Sequence, residues 1–266
     1  MKTRIYLLTA ALLGIMTACH NPSETATRNY QTEETLYLTE AGADSLHLFI
    51  RFDVPVHMKS ASAQKDICRD ILTQVFGEAF AAMEPQHALE AYAAMLKTEY
   101  KQNNLPMVAE RQGETPETET FPVLCEEQYL DGQVIGTVRN LMSYGVERYV
   151  YTGGAHGISY RLFRNYDISN GKVIQEADLF TCGSEDAITE MLKDNIIAQS
   201  ENISSTADLQ AEGYSVEDIR PNNNFYLSEE GIVYVFNPYD IAPYSYGETE
   251  VMLTWEQLEP LLTKEQ

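Results

Sequence analysis

The chain has 266 residues, 44% of them hydrophobic, 10% aromatic and 22% charged, which is the composition of one good-sized globular domain or two small ones. Its 18 basic residues against 40 acidic ones give a formal charge of −22. That balance excludes nucleic-acid binding, where a basic footprint supplies the affinity, and it opposes docking on anionic lipid by charge. Such a balance favours a cationic partner or simply serves solubility.

Lys2 and Arg4 precede an apolar run from Ile5 to Met16, and Thr17-Ala18-Cys19 follows. A basic start, a short apolar stretch and small residues before a cleavage point make a secretory signal, and the run is too short to span a bilayer comfortably. The cysteine directly after Ala18 gives the stretch Met16-Thr17-Ala18-Cys19 the form of a bacterial lipoprotein box. Residues 1–18 are therefore read as a signal peptide and Cys19 as the lipidation site. Loss of Lys2 and Arg4 takes the charge from −22 to −24. Several acyl chains on Cys19 would hold the protein firmly, since one chain alone binds marginally. The expected location is the bacterial cell envelope, lipid-anchored, periplasmic or surface-exposed. Residues 19–33 are polar without periodicity and read as a lipid-anchored tether.

Residues 46–54 have the β-branched and aromatic content of a strand. Residues 62–83 carry Ile67, Ile71, Val75 and Ala79 at helical spacing, with Cys68 on the same face. Pro85 breaks that pattern, and a second helix over 87–101 aligns Leu89, Ala93, Leu96 and Tyr100. The polar stretch 112–120 is a loop or boundary, dividing a region at 34–115 from one at 121–264, two parts that could also pack as one unit. Beyond it, 123–129 and 134–144 read as a hairpin around Asp131-Gly132. Two more strands follow at 147–151 and 158–168, and Ser169-Asn170-Gly171 turns into 172–174. Ser184, followed by Glu185 and Asp186, caps a helix with Ile188, Leu192 and Ile196 on its apolar face. After a polar stretch at 199–224 come a hairpin at 224–236 and a strand at 251–254. Thr254-x-x-Gln257 is a capping box for a last helix with Trp255, Leu258, Leu261 and Leu262. Strands run together with helices inserted, which predicts an α+β fold with a mainly antiparallel sheet and helices packed against it.

With Cys19 acylated, Cys68, Cys125 and Cys182 remain, enough for one bridge at most, and read as buried structural thiols. Neither they nor the five histidines have metal-ligand spacing, so no metal or cofactor is expected. Two stretches stand out. Tyr151-Thr152-Gly153-Gly154-Ala155-His156-Gly157 places His156 on a glycine-rich loop between strands. His156 is either a base or ligand held there or, as expected without a GxSxG or HExxH motif, a residue that serves the loop through backbone bonds. The second stretch, residues 237–247, holds Tyr239, Asp240, Tyr244 and Tyr246 together with Pro238 and Pro243. It is either a recognition loop or a long turn whose rings pack on the sheet. Glu126-Glu127 and Glu229-Glu230 read as solvated surface.

One order of features runs through the second half: Gly153-Gly154-Ala155-His156-Gly157, a turn with Gly171, Asp178-Leu179-Phe180, and a helix. Then come Phe225-Tyr226-Leu227, a Gly231 hairpin, Tyr239-Asp240-Ile241-Ala242-Pro243-Tyr244, Gly247 and the Glu250-Val251 strand. It resembles the domain of unknown function in the extracellular part of RsiV-type anti-sigma factors. That domain also precedes the catalytic domain of some peptidoglycan deacetylases and forms many small bacterial lipoproteins. The resemblance covers roughly residues 120–264, and residues 34–110 are similar to the region that usually precedes it. In the anti-sigma factors this part binds lysozyme and no chemistry is ascribed to it. The chain shows neither a sigma-binding segment with its spanning helix nor a deacetylase domain. What the resemblance implies is binding of a wall-directed ligand, a cationic protein of lysozyme type or a peptidoglycan fragment. Tyr239, Asp240, Tyr244 and Tyr246 are the candidate binding residues, and Gly153, Gly154, His156 and Gly157 the candidate loop. A wall- or glycan-directed hydrolase using His156 is the alternative.

Overall fold

A computed structural model describes residues 25–40, 42, 44–113, 124–200 and 202–263. The expected signal peptide, Cys19 and most of the expected boundary stretch at 112–120 lie outside the described residues. The first element stands where a tether was expected. β1 (Thr27–Tyr37) pairs antiparallel with β2 (Ser45–Pro55) along its whole length, from Thr27↔Pro55 to Tyr37↔Ser45. The segment is polar, yet Tyr30, Thr32, Glu34 and Leu36 turn inward in alternation, the period of a half-covered strand. Residues 27–33 of the expected tether are therefore strand, and residues 19–24 lie outside the described residues.

β2 drives Leu46, Leu48, Ile50, Phe52 and Val54 into the core. Two helices, α1 (Ala61–Phe76) and α2 (Pro85–Gly113), cover them with Ile67, Ile71, Val75, Leu89, Ala93 and Tyr100. α1 stops short of the expected residue 83 because Gly77 takes φ 98, a conformation that side chains with Cβ resist. Pro85 opens α2 rather than only ending what precedes it, since a first-turn proline has no needed N–H to lose. α2 continues through Pro106 to Gly113, well past the expected end at 101.

β3 (Cys125–Val138), β4 (Leu141–Tyr151), β5 (Ile158–Asp167) and β6 (Val173–Ile174) complete a six-stranded sheet of order β1-β2-β3-β4-β5-β6. Among the described strands only β2 and β3 pair in parallel, from Ser45↔Cys125 to Phe52↔Gly132. The sheet thus spans both sides of the boundary read at 115–121. The hairpin turn lies at Arg139-Asn140, between the paired Val138 and Leu141, not at Asp131-Gly132. Both of those residues sit inside β3: Asp131 is buried against Arg51, and an added Cβ on Gly132 would lie 2.5 Å from Tyr144 Oη. A turn-forming pair is here a charge partner and a close approach.

A second, three-stranded sheet of β7 (Phe225–Leu227), β8 (Gly231–Phe236) and β9 (Thr249–Thr254) carries its own core. α3 (Glu176–Leu179), α4 (Glu185–Gln199), α5 (Thr206–Ala211) and α6 (Trp255–Leu258) surround it. The capping box at Thr254 and Gln257 forms in both directions. Ser184 stands at the head of α4, but its hydroxyl donates to Thr181 O at 2.6 Å instead of capping the helix. α5 lies within a stretch expected to be loop. Polar side chains tie the sheets together. Buried Ser143 donates to Asn165 Oδ1 at 2.6 Å and accepts from Leu227 N at 2.9 Å, while Asn165 Nδ2 donates to Phe225 O at 2.9 Å. All three bonds are buried, where leaving a polar group unpaired is expensive.

Cys68, Cys125 and Cys182 are free thiols. Cys68 is half-buried and desolvation pushes it up to about 11, which makes it inert. Cys182 is exposed, contrary to the expectation of burial. No helix among the described residues is long and apolar enough to cross a membrane.

Candidate functional site

The two stretches singled out in the sequence meet. Between β4 and β5, Gly153 and Gly154 take φ 96 and 98, and Tyr151 Oη donates to Gly154 O at 3.1 Å. Gly157 is buried because Tyr149 packs on it; an added Cβ would lie 2.4 Å from the Tyr149 ring. His156 Nδ1 lies 2.9 Å from Gly157 O, so Nδ1 carries the proton and Nε2 is the free nitrogen. Tyr244 Oη donates to the same carbonyl at 3.1 Å. The His156 and Tyr244 rings stack with centroids 4.3 Å apart and planes 19° apart, and Tyr239 leans on Tyr244 at 5.5 Å.

The second loop is held by its own turn. Asp240 N donates to Asn237 O at 2.9 Å, and Asn237 N donates to Asp240 Oδ2 at 2.7 Å. Pro238 and Tyr239 are the central residues, and Tyr239 takes φ 76, where a type II turn usually places glycine. The Asn237 amide then imitates a strand neighbour of β5: its Oδ1 accepts from Arg161 N at 2.6 Å and its Nδ2 donates to Arg161 O at 3.0 Å. Asn224 continues along the same edge, its Oδ1 accepting from Phe163 N at 2.8 Å and its Nδ2 donating to Arg161 O at 3.0 Å. These amides satisfy the free edge of β5 and fix the loop to the first sheet.

The structure therefore brings Gly153, Gly154, His156, Gly157, Tyr239 and Tyr244 into one surface. Tyr239 is 61% exposed. Tyr246 packs instead on Tyr214 at 5.2 Å, with its hydroxyl on Glu212. Asp240 serves the turn and lines a cleft. Beside the site, Arg161 Nη1 reaches Glu248 at 2.5 Å and Glu250 at 2.6 Å, and burial pushes the Glu248 carboxyl up although Arg161 opposes it. Tyr149 and the asparagines were not singled out from sequence.

Among the described residues, clefts line the second sheet's side. One of about 510 Å³ is lined by Glu176, Thr181, Cys182, Ser184 and Pro221. Another, of about 620 Å³, is lined by Asp218, Arg220, Asn222, Asn224 and Asp240. Glu176 accepts from Asn223 N at 2.8 Å while its own N–H donates to Asn223 Oδ1 at 3.0 Å, and burial pushes its carboxyl up. His156 lines neither cleft. Among the described residues, no side-chain oxygen hydrogen-bonds to His156, and no three His, Cys, Asp or Glu residues are grouped to hold a metal ion.

Two solved structures share this architecture. A member of the DUF3298 family from Bacteroides fragilis NCTC 9343 superposes with a TM-score of 0.82 at 27% identity, over 92% of this chain and 96% of that one. A DUF3298 family protein from Pseudomonas aeruginosa PAO1 gives 0.62 at 18% identity, over 91% and 95%, and speaks for the fold alone. No curated protein matches the chain. The family model described as "Protein of unknown function (DUF3298)" matches residues 177–256, which take in the second sheet and the loop with Tyr239 and Tyr244 but not the glycine-rich loop. Residues 177–256, one of the two sides of the aromatic site, are thus similar to the DUF3298 domain.

Proposed function

We propose that this protein is a cell-envelope lipoprotein, anchored through Cys19, that binds a wall-directed ligand without chemistry of its own. The favoured ligand is a basic protein of lysozyme type, the second choice a peptidoglycan fragment. The observation that carries the reading is Tyr239, an exposed aromatic residue held at φ 76. A bulky residue at positive φ is strained, and strain of that kind collects at binding sites because the side chain is wanted where the backbone resists it. The formal charge of −22 steers a basic protein toward the surface. The resemblance to the anti-sigma factors, whose matching part binds lysozyme, supplies the ligand class. A hydrolase would need His156 paired with an acid; its Nδ1 is engaged with Gly157 O and its ring with Tyr244.

The test is calorimetric titration with a basic lysozyme at low and at physiological salt. A complex that survives physiological salt supports the reading, and binding seen only at low salt is non-specific attraction and removes it. Separately, Cys19→Ala moves the protein from the membrane fraction to the soluble one if the anchor is as proposed.

A further inference from the structure

The side of the first sheet turned away from α1 and α2 is only partly covered. On β2 the even-numbered residues are buried under the helices, so Phe49 and Arg51 face the other way. The pairing registers carry that face across the sheet. One row runs Glu33, Phe49, Tyr129, Tyr149, Ser159. Its neighbours run Arg51, Asp131, Glu147, Arg161 and His47, Glu127, Tyr151. β7 covers the end of the face near Ser143 and Asn165. Elsewhere Phe49, Tyr129 and Tyr149 stay partly exposed, and Glu33, Glu127 and Glu147 are exposed. Tyr149 continues the row onto Gly157, and so onto His156 and Tyr244.

We propose that this uncovered face is the docking surface for a basic polypeptide, bound through lysine and arginine side chains laid between the rows. The proposal rests on the binding reading above and adds where the partner sits. Charge complementarity is the argument. Arg51 is already neutralised by Asp131, and Arg161 by Glu248 and Glu250. Glu127 and Glu147 have no salt bridge among the described residues, and Glu33 has only His47 at 3.7 Å. The aromatic row supplies the apolar part. A long basic side chain rests its methylene stem on apolar edges while its charge reaches carboxylates in the rows on either side, about 7 Å away along the strands. A glycan is the weaker fit. Phe49 and Tyr129 stack on each other, centroids 5.1 Å and planes 8° apart, so they present edges where a sugar ring would need a face.

The experiment compares two charge reversals in the full chain, with a basic lysozyme as probe at physiological salt. Glu127→Arg with Glu147→Arg changes the face. Glu256→Arg with Glu259→Arg makes the same change in net charge at exposed positions of the other sheet's terminal helical segment. The face reversal is expected to weaken binding about tenfold or more and the control by less than about threefold. Thermal melting checks that both fold, and the milder Glu127→Gln with Glu147→Gln weakens binding in the same order if the reversal does not fold. Equal weakening by the two reversals, or full affinity in the face variant, overturns the surface while leaving the binding reading in place. Absence of binding by the unsubstituted protein removes both. An N-acetylglucosamine oligomer that displaces the protein probe and is lost with Tyr129→Leu reassigns the face to a glycan.

Discussion

Replacing Tyr239 by glycine separates the cost of its backbone from the use of its ring. At φ 76 a side chain with Cβ is disfavoured by about 1–2 kcal/mol, which Tyr239→Gly releases. Against that stand about 0.5–1 kcal/mol for glycine's freedom in the unfolded chain and about 0.5–1.5 kcal/mol for the lost pairing with Tyr244 at 5.5 Å. With the ring 61% exposed, little burial is lost. The terms nearly cancel, so the variant is expected to melt within about 4 °C of the original, taking about 2–4 °C per kcal/mol for a chain of this size. Its binding to a basic lysozyme should fall about thirtyfold, the loss of about 2 kcal/mol expected of a central aromatic anchor. Differential scanning calorimetry and isothermal titration measure the two. A large fall in melting temperature would show that the fold needs this tyrosine, and full affinity would show that the ring touches no ligand; either result refutes the reasoning.

Three further substitutions test the framework. Asn165→Ala leaves Ser143 Oγ without its acceptor and Phe225 O without its donor in a buried interface, and is expected to cost about 2–4 kcal/mol in chemical denaturation. Gly171→Ala places a Cβ 2.9 Å from Ala63 Cα at φ 82, and a loss of at least about 2 kcal/mol should follow; a smaller loss would mean that the turn after β5 gives way freely. Glu176→Gln keeps the acceptor for Asn223 N but removes a carboxylate whose ionised form burial disfavours. A carboxyl raised in the fold supports stability while protonated and loses that support as pH rises through its titration. The variant should therefore melt above the original at pH 7 and level with it below about pH 4, the gap tracking pH; a constant gap would contradict this.

Much of the fold is legible in the sequence where periodicity is strong. The stripe of Ile67, Ile71 and Val75 and the capping box at Thr254 give helices where they were expected, although α1 ends at Phe76 and α6 at Leu258. The fold class follows from strands grouped rather than alternated with helices. Two of the misreadings share a physical cause, a local signal overridden by pairing with another strand, whereas α1 ends early for a local one, the positive φ of Gly77. Asp131-Gly132 has turn chemistry, but Arg51, 80 residues away in sequence, and Tyr144 on the neighbouring strand hold it in a strand. The polar 27–33 stretch has no apolar signal, and its strand exists because β2 offers an edge to pair with. At the site, both unusual stretches were visible as glycine, proline and tyrosine clusters, but their meeting was not, since it depends on Tyr244 reaching Gly157 O across the fold. Tyr149 left no signal beyond alternation in β4, and Asn224 and Asn237 act as strand surrogates that no motif describes.

The central claim, that the paired loops are a binding surface, is tested most directly by hydrogen exchange on the protein with and without saturating basic lysozyme. The account predicts slowed amide exchange at 152–158 and 238–247, with the sheet rows ending at Tyr149 and Tyr151 following. Protection confined to the clefts around 175–185 and 218–224, or no change anywhere in the chain, would contradict it.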